Sequence, residues 1–195
     1  YTMAESVKDG ITVGIVYEGR AAKVLLDNQK LEDIEAYYQL CADEGSNEHQ
    51  IEQSKRATIN INAILGDPDR IEVLAADFVK HYEQRVIEGA TVKGKAMFVS
   101  SSREIAYQFY QQLAHLRPDW FTVLECEKSE ELTEHARKKI KPMARVNMVM
   151  TRSNDDDKDL YQLLGSKEYR KTLDKQFKKA QSNFKIAIVV DMWLT

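Results

Sequence analysis

Glycine and proline are scarce in this chain of 195 residues, at 8 and 3 positions. That scarcity excludes a collagen-like or linker-rich chain, and so few turn formers argue against an all-β sandwich. The two cysteines, Cys41 and Cys126, form no CxxC or CxxxC pair. Neither a zinc site nor a disulfide framework is therefore encoded, and a reducing, cytoplasmic setting fits. Long hydrophobic runs are missing too. The longest, Ile186 to Leu194, is interrupted by Asp191 and falls far short of the roughly 20 residues a membrane-spanning helix needs. No membrane contact is expected. The chain opens on Tyr1 rather than Met, with no basic stretch leading into an apolar run. No signal peptide is expected, and the sequence reads as a window inside something longer.

What is present describes a folded protein: 43% of residues are hydrophobic and 30% charged, enough apolar side chains for a real core. The formal net charge of −3 conceals a division. Residues 1–90 hold 9 Lys and Arg against 17 Asp and Glu, a balance of −8, while residues 91–195 hold 19 against 14, a balance of +5. A basic half hints at a polyanionic partner, although lysines on a solvated helix face would give the same count.

Periodicity divides the chain at about the same place. Alternation in Ile11–Tyr17, followed by Ala21–Leu26, predicts one or two short strands. Residues 32–88 lack alternation and read as about three helices. The last of these follows Gly66-Asp67-Pro68, where Asp67 can cap and Pro68 suits the first turn. It carries Ile71, Leu74, Ala75, Phe78, Tyr82 and Val86 as an apolar stripe. Beyond Gly89, strands are expected at Lys95–Val99, Ala144–Met150 and Phe184–Val190. Helices are expected around Ile105–Leu116 and over Lys167–Ala180. Strand, helix, strand, helix, strand implies parallel crossovers and a sheet covered on both faces. Binding loops in such sheets sit at the carboxyl ends of the strands, here Ser100–Arg103, Thr151–Asn154 and Asp191–Thr195.

Few motifs survive scrutiny. Gly89 to Lys95 fits GxxxxGK, but Ala96 stands where a Mg²⁺-binding hydroxyl belongs, and the segment precedes a strand instead of following one. Pro118-Asp119 with Glu125-Cys126-Glu127-Lys128 resembles a PD…ExK nuclease core only until the spacing is counted, and it reads as a surface connection. His49, His81, His115 and His135 lie far apart, and His81 reads as a packing residue. Asp155-Asp156-Asp157 reads as the cap of a helix more readily than as a cation site. No Ser-His-Asp or Cys-His arrangement can be built. Ser100-Ser101-Ser102-Arg103 offers hydroxyls, backbone N–H groups and a cation at a strand-to-helix junction, a pattern that suits a phosphate oxyanion and equally suits an N-cap.

The final run, Phe184-Lys185-Ile186-Ala187-Ile188-Val189-Val190-Asp191-Met192-Trp193-Leu194-Thr195, resembles the approach to helicase motif V in the R subunit of type I restriction enzymes. In that family Gly-Phe-Asp follows directly. Lys95 to Arg103 is similar to the family's motif IV region, Tyr1 to Gly10 to the stretch after the first motor lobe, and Val149-Met150-Thr151 with Ser153 to the strand end between motifs IV and V. The resemblance implies a superfamily 2 helicase-type motor that translocates double-stranded DNA with ATP and Mg²⁺. The family's subunit also carries a nuclease domain and assembles with methyltransferase and specificity subunits.

On that resemblance the expected fold is α/β, a helical N-terminal region packed on an incomplete RecA-like parallel sheet. Residues 1–30 would connect from the first motor lobe, 31–90 form the helical region, and 91–195 make part of the second lobe. Ser101, Ser102, Arg103, Thr151 and Thr195 would contact the DNA backbone. The family's ATP-binding, catalytic and metal-binding residues have no counterpart in this chain. The competing readings are a non-catalytic interaction domain that docks a protein on its acidic helices, and a stand-alone nucleotide-binding domain of flavodoxin or receiver type.

Overall fold

The computed structural model describes residues 2–10, 65–89, 94–126 and 132–190. The strands expected within 11–26, the two helices expected between 32 and 65, and Thr195 lie outside the described residues. Helix α1, Met3–Lys8, starts on a capping box: Thr2 Oγ1 accepts from the Glu5 amide at 3.3 Å, and the Thr2 amide donates to Glu5 Oε2 at 2.7 Å. Helix α2, Pro68–Ile87, begins where Asp67 and Pro68 place it, with the Asp67 carboxylate accepting from the Arg70 amide at 3.3 Å. Its buried stripe is Ile71, Ala75, Val79 and Tyr82. Phe78 is only partly buried and Val86 is 41% exposed, so the stripe ends one turn earlier than the spacing predicts.

The remaining elements are β1, Ala96–Ser100; α3, Arg103–Leu116; a 3₁₀ turn, Pro118–Phe121; α4, Glu134–Lys138; β2, Val146–Val149; α5, Lys158–Leu163; α6, Lys167–Phe177; and β3, Ile186–Val190. The three strands make a parallel sheet in the order β1-β3-β2. Ala96 pairs with Ile186 on one side of β3, and Val146 pairs with the same residue on the other. β3 reads Ile-Ala-Ile-Val-Val without alternation because it is central and faces apolar layers on both sides.

The order explains how the layers form. The β1-to-β2 connection steps over one strand and the β2-to-β3 connection steps back, so right-handed crossovers deliver α3 and α6 to opposite faces, while Leu160 of α5 still packs on the α3 side. One face packs α2 and α3 against Val146, Met148, Ile186 and Ile188. On it Phe109 of α3 is wholly buried and stacks on Phe98 at 3.7 Å between centroids, with Phe78 edge-on at 5.4 Å. The other face packs Leu173 of α6 with Phe184, Ala187, Val189, Val149 and Met143.

Two details depart from the sequence expectation. The segment after Pro118 is not merely a surface connection. Trp120 is 4% exposed, packs edge-on against Tyr82 at 5.4 Å, and accepts the Arg145 amide at 2.8 Å through its carbonyl. Helix α4, of 5 residues, was not expected, since so few residues cannot display a helical period, whereas α5, of 6 residues, begins where the acidic triplet marks a helix start. Among the described residues no helix is long and apolar enough to cross a membrane.

Candidate functional site

Parallel strands bring their carboxyl ends to one edge of the sheet. The loop after β1, Ser100–Ser102, and the loop after β2, Met150–Asp157, therefore emerge together. Ser100 is buried and its hydroxyl donates to the Ser102 carbonyl at 3.0 Å. Ser102 is the N-cap of α3, accepting from the Ile105 amide at 3.3 Å. Ser101, between them, is exposed, and so is Thr151 on the neighbouring loop.

Arg103 opens α3 and points across to the second loop. Its Nε and Nη2 donate to Asp156 at 2.9 and 2.6 Å, and Nη2 also reaches the second carboxylate oxygen at 2.6 Å. Asp156 accepts in addition from the Ser153 amide at 2.7 Å. The carboxylate is 4% exposed and the guanidinium side chain 27%. Burial pushes the Asp156 carboxyl upward, but the bonds from Arg103 and the Ser153 amide outweigh it and hold the group below its ordinary value. Nearby, Arg152 lies over the Tyr161 ring at 4.3 Å.

The acidic triplet stands at a helix start, as the sequence suggests, but its side chains do not all serve as a cap. Asp157 takes the N-cap position of α5 but makes no side-chain cap bond, and Asp156 serves as the clamp between loops. Nothing local signals this, because the partners lie 53 residues apart. Of the sequence-predicted contacts, Ser101, Ser102, Arg103 and Thr151 come to one edge, and Thr195 is outside the described residues.

The charge at this edge is not what the basic half of the chain suggests. Residues 100–104 hold one cation and one carboxylate, and residues 150–159 hold two cations against four aspartates. Two surface grooves, one lined by Val79, Glu83, Ile87 and Arg117, the other by Cys126, Arg137, Ile140 and Pro142, both lie away from the strand ends. Among the described residues no group of three His, Cys, Asp or Glu is arranged to hold a metal.

Against known proteins, the whole chain aligns over 196 positions at 32% identity with the type I restriction enzyme HindI endonuclease subunit of Haemophilus influenzae. Along its full length the chain is a relative of type I restriction endonuclease subunits. A second such relative is the putative type I restriction enzyme MjaIXP endonuclease subunit of Methanocaldococcus jannaschii, at 26% identity. The chain spans 16% of the length of each of these type I subunits. No family model and no solved structure matches it. The resemblance drawn from the strand runs thus holds for the whole chain, including residues 11–64.

Proposed function

We propose that this chain is part of the DNA-translocating motor of a type I restriction endonuclease R subunit, within a second RecA-like lobe whose strand-end loops touch the backbone of double-stranded DNA. The observation that carries the reading is the end-to-end likeness to two named endonuclease subunits. The convergence of the β1 and β2 loops supports it.

Exposed hydroxyls of Ser101 and Thr151 can donate to phosphate oxygens without reading bases, as a moving motor requires. Arg103 spends Nε and Nη2 on Asp156, so its first role is to fix the spacing of the two loops. Ser102 keeps its hydroxyl proton for a phosphate while its oxygen caps α3. Thr195 completes the set on the resemblance alone.

ATP and Mg²⁺ would be held by other parts of the protein. Gly94 leads through Lys95 directly into β1, the wrong side of a strand for a phosphate cradle. The methyltransferase and specificity subunits are the expected partners, in the cytoplasm.

The test uses the full-length protein with Ser101→Asp and Thr151→Asp combined. Both sites are exposed, so the melting temperature stays put while two carboxylates face phosphate. DNA-stimulated ATP hydrolysis and duplex affinity should each fall about tenfold or more, as the loss of two contacts worth roughly 1 kcal/mol each implies. Unchanged values in a folded variant would remove DNA contact from this edge.

A further inference from the structure

The positive charge of the basic half gathers at the other end of the sheet. Residues 134–145, which lead into β2, hold five Lys and Arg against one carboxylate, and residues 174–185, which lead into β3, hold four against one. The two carboxylates, Glu134 and Asp174, are taken by Lys138 at 2.8 Å and Lys178 at 3.0 Å.

A scaffold of backbone bonds gathers four of the remaining lysines. The buried Gln176 carboxamide bridges the segment before β2, donating to the Lys139 carbonyl at 3.2 Å and accepting the Lys141 amide at 3.2 Å. Lys179 Nζ donates to the same Lys139 carbonyl. Lys175 sits in the last turn of α6 and Lys179 just past its C-cap, Lys178. Lys139, Lys141 and Lys175 are exposed, and among the described residues none of these four lysines pairs with a carboxylate.

We propose that Lys139, Lys141, Lys175 and Lys179 form a second docking surface for the phosphate backbone of duplex DNA, at the amino end of the sheet and separate from the strand-end loops. The Lys179 ammonium is held below its ordinary value by burial and by the charges of Lys139, Lys141 and Lys175. That places the four in one field, with like charges that a polyanion would relieve. The composition favours phosphate over an acidic protein surface. None of the exposed large hydrophobic residues falls within 134–145 or 174–185, whereas protein interfaces deplete lysine and anchor on aromatic side chains. Backbone phosphates need only cations, whose binding releases condensed counterions.

The experiment follows duplex affinity of the full-length protein between 50 and 200 mM salt, with Lys175→Gln/Lys179→Gln, Lys139→Gln/Lys141→Gln, and all four together. Each lost phosphate contact lowers the slope of log affinity on log salt by about 0.9, so a pair removes about 1.8 and the quadruple variant about 3.6. Circular dichroism and the melting temperature verify folding. Should the quadruple variant fail to fold, the two pairs decide. An unchanged slope in folded variants overturns the proposal, as does lysine-dependent capture of polyglutamate with the DNA slope intact. The surface stands independently of the strand-end contacts: Ser101→Asp/Thr151→Asp tests those alone, and either result can fail without the other.

Discussion

Removing Arg103 should harm the fold more than removing its partner, and the difference should depend on pH. Asp156→Ala leaves a guanidinium that is already 27% exposed and can recover water, together with an unpaired Ser153 amide. Its cost is the loss of charge-assisted bonds, about 1.5–3 kcal/mol. Arg103→Met strands a carboxylate that is only 4% exposed. An unpaired buried carboxylate costs about 3–5 kcal/mol while it stays ionised. It can escape by taking a proton, at about 1.36 kcal/mol per pH unit above an unfolded value near 3.9, or roughly 4 kcal/mol at pH 7 and 1.5 at pH 5.

The sign follows from the direction of the shift. In the native protein Asp156 is held below its ordinary value, so its contribution is fully present above the unfolded value and is lost as pH falls through the folded one. Between pH 7 and 5 the native protein therefore gains or loses little through this group. The Arg103→Met penalty should shrink over that interval by up to about 2.5 kcal/mol, as the protonation cost falls, while that of Asp156→Ala stays level. Urea unfolding of both variants and the double variant at the two pH values measures this, and the cycle isolates the coupling. Equal, pH-independent penalties, or penalties under about 0.5 kcal/mol as for exposed pairs, would refute the clamp.

Two further outcomes concern packing and backbone. Gly165 has φ +61, and a Cβ there would lie 2.3 Å from Tyr169 Cδ1, whereas at Gly89, with φ +65, a Cβ meets nothing within 4 Å. Gly89→Ala should cost only the left-handed strain of about 1–2 kcal/mol, and Gly165→Ala distinctly more, read as the difference in denaturation midpoint. Phe109→Ala, at a wholly buried ring between Phe98 and Phe78, should cost about 3–5 kcal/mol in the same assay. A loss below 2 would mean that the α3 face collapses around the gap.

Much of the fold was legible because its signals are local. Asp67-Pro68 starts α2, Ser102 starts α3, and the unalternating Ile186–Val190 run reads as a buried strand; each rests on neighbours within a few positions. Helix α4 was not legible, being too short to show a period, α5 was legible only as a helix start at the acidic triplet, and Trp120 read as surface because its partner Tyr82 sits on another helix. The candidate site was legible only as a list of strand ends. That Arg103 belongs to Asp156 depends on two loops meeting at one edge, which no local pattern encodes.

By itself the sequence determined a parallel α/β arrangement, its helix caps, the residues of its central strand and the size of its charge imbalance. Only the tertiary structure decided where that charge resides. Crossovers of opposite direction bring the acidic β2 loop beside Arg103 at one end and crowd Lys139, Lys141, Lys175 and Lys179 at the other. A count along the chain adds charges regardless of place, whereas the field a partner meets depends on which of them the fold sets side by side.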